Sequence, residues 1–204
     1  VKLAIDSNGS VDDRSEDAGR FTSEGCLDKV HELRRECDAI LVGVDTVIRD
    51  NPSLTIRRVE ADKQPLRIVI DPNQRIPKSS NLLNDGFETV VVHIQSDKRG
   101  VALPTGDGGA DLSALLDHLG DRGIQELLIE GGPIVWKHFL EEKLVDRAII
   151  IQAPVDLGDG PASQIDEDVL RDSGLILLEN KKWGEDNVSF WSRPSLNWPH
   201  MNWP

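Results

Sequence analysis

The chain reads as an α/β domain: a mostly parallel sheet covered by helices and finished by an antiparallel strand. Three observations predict this. Short β-branched runs recur and are nearly continuous rather than alternating, as strands buried on both faces require. Helical segments separate several of them. The last part of the chain changes to a hairpin pattern.

The elements follow in order. Val1 to Ile5 is a first strand, cut short at its start. A helix from about Thr22 to Cys37 has Thr22 or Ser23 as its cap. Three strands follow: Ala39 to Val44, Arg67 to Ile70 and Thr89 to Ile94. Leu103 to Ala110 is a Gly/Pro loop; its Gly106-Asp107-Gly108-Gly109 does not directly follow a strand and lacks Lys-Ser/Thr, so it reads as a linker. Asp111 to Leu119 has helical spacing and stops at Gly120 and Gly123. Leu127 to Ile129 is a strand, and Pro133 to Leu144 a helix with Pro in its first turn. Ala148 to Ile151 is a further strand. Leu175 to Glu179 and Val188 to Trp191 flank Gly184-Glu185-Asp186-Asn187 as a hairpin. The tail repeats Asn-Trp-Pro at 197–199 and 202–204, which reads as a docked or frayed end rather than a repeat domain.

Composition bounds the function. With 204 residues, one large domain is expected. The net charge of −13 argues against a nucleic-acid partner. It leaves room for an anionic small ligand, because screening limits surface charge to about 8 Å. No apolar run approaches the roughly 18 residues that span a bilayer. The start shows no basic leader followed by an apolar core, and the missing initiator Met suggests a piece of something longer. Cys26 and Cys37 are too few for a disulfide framework and read as free, packed thiols of a reducing compartment. The cytoplasm is the expected location, with a eukaryotic organelle as the other reading.

Dinucleotide, Walker, nucleophile-elbow and zinc signatures are absent. Three places remain. On the first helix, Arg34 falls on the shoulder of the apolar stripe, where it needs a carboxylate or an anion as partner, or else snorkels to a surface Glu. Val44 to Arg57 follows a buried strand at the sheet edge where open α/β sheets bind ligands. It offers the Thr46 hydroxyl, the Asp50 carboxylate, an Asn-Pro-Ser turn and the cation of Arg57, or is a bland turn with a surface Arg. Glu130-Gly131-Gly132-Pro133 lies at another strand-to-helix junction. There backbone can approach a phosphate and Glu130 can serve recognition or proton transfer, unless it is a simple turn.

Read jointly, several fragments resemble the reductase of riboflavin biosynthesis, which is free-standing or the C-terminal half of a deaminase–reductase. They are Lys2-Leu3-Ala4, Val30-His31-Glu32-Leu33-Arg34, Asp38 to Val44, Thr46-Val47 with Asp50 to Thr55, Pro65 to Asp71, Glu130-Gly131-Gly132, Leu144-Val145-Asp146 and Ala153-Pro154. The resemblance spans roughly Val1 to Arg193, as one reductase domain, and leaves 194–204 as a tail. It implies a three-layer dihydrofolate-reductase-like α/β fold, NADPH as cofactor, a homodimer, and reduction of the ribosylamino group of a pyrimidine ribose 5′-phosphate to ribitylamino. It also implies a deaminase that is separate or upstream.

By the same resemblance, Lys2, Arg34, Leu54, Arg57 and Glu130 match positions that hold the sugar phosphate or pyrimidine. Ile5, Arg20, Thr46, Asp50 and Gly131, with Gly132, Pro133, Ile134, Val135 and Trp136, match positions lining the dinucleotide. Lys2, Glu130 and Asp50 are the candidate catalytic residues. Three departures stand out. Asp6 adds an acid beside the expected site, Asp45 stands where Gly is common, and Pro72 replaces a small hydroxyl residue. The competing expectations are a reductase of the same fold acting on a pterin or another small carbonyl compound, and a non-catalytic dimeric partner domain.

Overall fold

The structure, a computed structural model, describes residues 1–16, 19–94, 101–102, 104–106 and 109–196. The Asn-Trp-Pro repeats, and Leu103, Asp107 and Gly108 of the expected linker, lie outside the described residues.

The first elements are β1 (Lys2–Ile5), α1 (Glu24–Arg35), β2 (Ala39–Gly43), α2 (Val44–Asp50), β3 (Leu66–Ile70), α3 (Asn81–Asn84) and β4 (Thr89–His93). Then come β5 (Val101–Ala102), β6 (Thr105–Gly106), β7 (Gly109–Ala110), α4 (Leu112–Asp121), β8 (Leu127–Ile129) and α5 (Pro133–Glu141). The chain closes with β9 (Arg147–Gln152), α6 (Glu167–Asp172), β10 (Ile176–Trp183) and β11 (Asp186–Ser192). Two compact units emerge, Val1–Leu33 with Pro133–Pro204, and Arg34–Gly132.

In the first unit four strands pair in the order β1-β9-β11-β10. β1 and β9 are parallel, with Lys2 opposite Ile149, and the C-terminal hairpin β10–β11 adds antiparallel to β9. The hairpin is longer than the apolar pattern suggests, because β10 is largely exposed and carries polar residues. Its turn uses Gly184 at a φ of 63°, a conformation that favours glycine. Buried Leu3, Ala148, Ile149, Ile151, Val188, Phe190 and Trp191 give this sheet an apolar interior.

In the second unit five strands pair in parallel, in the order β5-β4-β3-β2-β8. β2 is buried at every position, as a central strand with neighbours on both sides must be. α4 starts on Asp111, whose side chain accepts from the Ala114 amide at 3.0 Å, and it buries Leu112, Leu115 and Leu119 along one stripe.

The sequence reading needs several corrections. The strand read as running to Val44 ends at Gly43, and the segment directly after it is helical: Val44 and Val47 bury one side, and Asn51 caps α2 in the left-handed region at a φ of 41°. Seven residues are too few to show a helical period, so pattern alone could not find it. α3 and α6 are short for the same reason. α1 ends at Arg35, so Cys37 lies beyond it. Both cysteines are free and buried, and burial pushes both thiols up to about 12. They stay protonated at neutral pH and serve packing.

Candidate functional site

In the five-stranded sheet the chain steps from β2 through β3 and β4 to β5 on one side, then returns to the other side of β2 as β8. A reversal of strand order is where open α/β sheets take ligands, beyond the carboxyl ends of the strands. Here those ends feed α2 on one side and Glu130-Gly131-Gly132 on the other. The two runs adjoin: a Cβ built on Gly132 would meet Oγ1 of Thr46 at 3.5 Å. That is an ordinary contact, so the fold itself does not demand glycine at this position.

Arg34 and Glu130, 96 residues apart, form a buried bidentate pair. Nε of Arg34 donates to Oε1 at 2.6 Å and Nη2 to Oε2 at 2.9 Å. Nη1 donates to the Thr55 carbonyl at 3.2 Å. The side chains are 11% and 5% exposed, which decides that this is no surface pair. Burial pulls the guanidinium down, and the attraction and hydrogen bond of Glu130 outweigh it, so Arg34 is held above its ordinary value. The expected carboxylate partner exists, and it is the buried candidate Glu130 rather than a surface Glu. Arg34 is therefore not an uncompensated cation. It anchors Glu130 and, through Thr55, the segment after α2.

That segment carries Leu54 and Arg57, and side chains tie it down at several carbonyls and amides. Asn81 donates twice to Asn51, from its amide to Oδ1 at 2.8 Å and from Nδ2 to the carbonyl at 2.7 Å. Gln64 brackets Ile56, accepting from its amide at 2.7 Å and donating to its carbonyl at 3.0 Å. Arg67 reaches the Ser53 carbonyl at 2.9 Å. Leu54 is buried with a φ of 51°, a conformation that costs a non-glycine residue about 1–2 kcal/mol. Surrounding contacts must hold it there. Arg57 is exposed, Thr46 half-buried and Asp50 exposed.

Arg67, which the sequence pattern alone does not single out, ties down the segment that carries the candidate Leu54. It lies in a buried strand, yet its guanidinium is bidentate to Asp85 at 2.6 and 2.7 Å. It also donates to the carbonyls of Leu82 and Phe87 at 3.0 and 2.8 Å. Its hydrogen bond holds the Asp85 carboxyl below the usual range. A charged residue inside an apolar strand was the available signal.

Two of the three departures prove to be engaged within the protein. Asp6 is fully buried; Oδ1 accepts from the amides of Asn8 and Ser10 at 2.8 and 2.7 Å, and Oδ2 from that of Leu157 at 2.9 Å. Burial raises its carboxyl, and those backbone hydrogen bonds outweigh it, leaving Asp6 below the usual carboxylate range. Its negative charge is thus spent on backbone amides. Asp6→Ala is expected to cost about 1–3 kcal/mol by orphaning buried amides, read from urea unfolding. Because the folded value is the lower one, this contribution is present above pH 4 and is lost as pH falls through the folded value. The variant should flatten the acid side of the stability profile, and an unchanged profile would remove this role. Asp45 pairs with Arg75, Nη2 to Oδ1 at 2.7 Å. Pro72 lies in the loop after β3, which also carries Arg75.

The remaining candidates belong to the other unit. Lys2 and Ile5 bound β1 and are half-buried, and Arg20 is exposed. Pro133, Ile134, Val135 and Trp136 open α5. Ile134 is exposed at 63%, whereas Trp136 is wholly buried. The Trp136 side chain is therefore packed inside the protein, which leaves its backbone as the part of it that could face a ligand.

Residues 1–189 match the family model of the RibD C-terminal domain. The chain is 36% identical to a 2,5-diamino-6-ribosylamino-4(3H)-pyrimidinone 5′-phosphate reductase of Methanothermobacter thermautotrophicus, over 84% of this chain and 87% of that one. It spans about half the length of RibD proteins it matches, 51% of one and 50% of another. Among solved structures, the diaminohydroxyphosphoribosylaminopyrimidine deaminase/5-amino-6-(5-phosphoribosylamino)uracil reductase of Thermotoga maritima superposes with a TM-score of 0.78 at 25% identity. That likeness covers 94% of this chain and 55% of the other. A dihydrofolate reductase of Enterococcus faecalis shares the fold alone, with a TM-score of 0.57 at 11% identity over 95% of each chain.

Proposed function

Because the chain belongs to the RibD C-terminal domain family, we propose that it is an NADPH-dependent reductase of riboflavin biosynthesis. Its substrate is a pyrimidine ribose 5′-phosphate whose ribosylamino group becomes ribitylamino. The observation that carries the reading is the buried Arg34–Glu130 pair at the strand-order reversal, inside a family match running from residue 1 to 189. The cytoplasm is its place of action, a second copy of the chain its partner, and a deaminase on another polypeptide or segment its companion. Among the described residues no helix is long and apolar enough to cross a membrane.

The residues present fit a dinucleotide. Thr46 offers a hydroxyl beside a glycine whose missing Cβ the fold does not require. Gly131 and Gly132 leave backbone open to phosphate oxygens. Asp50, Ile5, Arg20 and Pro133 to Trp136 enter through the family pattern. Bound there, NADPH would supply the hydride that reduces C1′ of the opened sugar, as carbonyl or imine, with a proton going to the heteroatom. Both oxygens of Glu130 accept from Arg34, and by the family pattern Lys2 or Glu130 would polarise or protonate that heteroatom. Glu130, Arg34 and Leu54 hold the pyrimidine, and exposed Arg57 meets the phosphate.

Two measurements test this. NADPH oxidation is followed with the deaminated and the undeaminated phosphorylated pyrimidine; oxidation with neither would end the reading. Gly132→Ala is expected to leave Tm unchanged and to raise KM for NADPH about tenfold, the cost of about 1.4 kcal/mol of lost backbone contact. An unchanged KM would take Gly132 out of the cofactor site.

A further inference from the structure

The loop after β3 presents Arg75 on a turn built around a buried carboxylate. Asp71, the first residue beyond the strand, is wholly buried and accepts through Oδ2 from the Ile76 amide at 2.8 Å. Its carbonyl accepts from the Gln74 amide at 3.2 Å, and Gln74 takes a φ of 56°. The turn so formed carries Arg75, which reaches Asp45 on α2. β2 and β3 are neighbours with Gly43 opposite Ile70, so Arg75 and Asp45 both stand beyond the carboxyl ends of the sheet. Asp45 is adjacent in the chain to Thr46, which faces Gly132.

An ion pair this open adds little to stability. Arg75 is 47% and Asp45 64% exposed, and such pairs contribute at most about 1 kcal/mol. The chemistry suits a ligand better. In dinucleotide sites an arginine accommodates a ribose 2′-phosphate, whereas an acid accepts a hydrogen bond from a bare 2′-hydroxyl. Here both stand together, and the loop holding the arginine is fixed by a buried carboxylate.

We propose that Arg75 and Asp45 are the residues by which this chain distinguishes NADPH from NADH. Arg75 donates to the 2′-phosphate, which carries nearly two negative charges against one on Asp45 and so draws the guanidinium to itself. Asp45 positions Arg75 in the free protein and weakens the preference for the phosphate by its own charge. This rests on the reading of Thr46 and Gly132 as cofactor residues.

Binding is measured on the full chain by quenching of tryptophan fluorescence, with NADPH and NADH titrated separately. The wild type is expected to bind NADPH more tightly. Arg75→Ala should weaken NADPH by about tenfold to hundredfold and leave NADH unchanged, as loss of a charge-assisted hydrogen bond predicts. Arg75→Lys should restore part of the loss, and Asp45→Asn should tighten NADPH a few-fold. Equal affinity of the wild type for both cofactors, or an Arg75→Ala effect equal on both or absent, overturns the proposal while cofactor binding itself stands. Failure of the wild type to bind either cofactor overturns the underlying reading and this one with it.

Discussion

Arg34→Ala should lower kcat/KM on the order of 100-fold, because it releases two site elements at once. Glu130 loses its two-pronged partner, and Thr55, which leads to Arg57, loses its tie. Stability should fall with activity. Removing one member of a buried ion pair leaves the other charged and unmatched, at about 3–5 kcal/mol. In a chain of this size that lowers Tm by roughly 10 °C. A double-mutant cycle separates the causes. Arg34→Ala with Glu130→Ala should be more stable than Arg34→Ala alone, since the stranded carboxylate is gone, yet equally inactive. Arg34→Lys keeps a charge but not the fork, and should recover stability before turnover. If Arg34→Ala keeps both its Tm and its KM for the phosphorylated pyrimidine, the pair has no part in the site.

Arg67→Met is expected to be the most destabilising single change away from the candidate ligands. The guanidinium is 1% exposed and satisfies Asp85 together with the carbonyls of Ser53, Leu82 and Phe87. Methionine fills much of the volume and none of the hydrogen bonds. The loss is about 3–5 kcal/mol, again roughly 10 °C in Tm. A second effect distinguishes this site from a purely structural one. Ser53 precedes Leu54, whose left-handed backbone needs outside support, so KM for the pyrimidine should rise while KM for NADPH holds. Thermal unfolding combined with the two KM values checks it. A stable variant, or equal changes in both KM values, would show that Arg67 does not support the Leu54 segment. Asp85 and Asp38 are both held below the usual carboxylate range, by the Arg67 hydrogen bond and by the Gln125 amide respectively. Their contributions, like that of Asp6, are therefore lost on the acid side.

Much of the fold was legible before any coordinates. The nearly continuous β-branched runs within 39–43, 66–70 and 89–93 announce parallel strands because each strand's burial is largely written in its own residues. The Asp111 cap and the Leu112, Leu115 and Leu119 stripe do the same for α4. What stayed hidden was short or depended on a distant neighbour. α2 has too few turns to display a period, and β10 is an exposed strand whose polar residues conceal it.

The amino-acid sequence by itself determined the α/β class, where most of the strands lie along the chain, the family, and that Arg34 would need an anionic partner. Only the tertiary structure decided which anion that is. Hydrophobic periodicity is local, whereas a buried charge is matched by whatever the strand order brings beside it. The reversal at β2 sets Glu130 against Arg34 across 96 residues. The same long-range pairing turned Arg67 from a strand residue into a tie for Leu54, Asp6 into a backbone clamp, and Asp45 from a repelling acid into the counter-ion of Arg75.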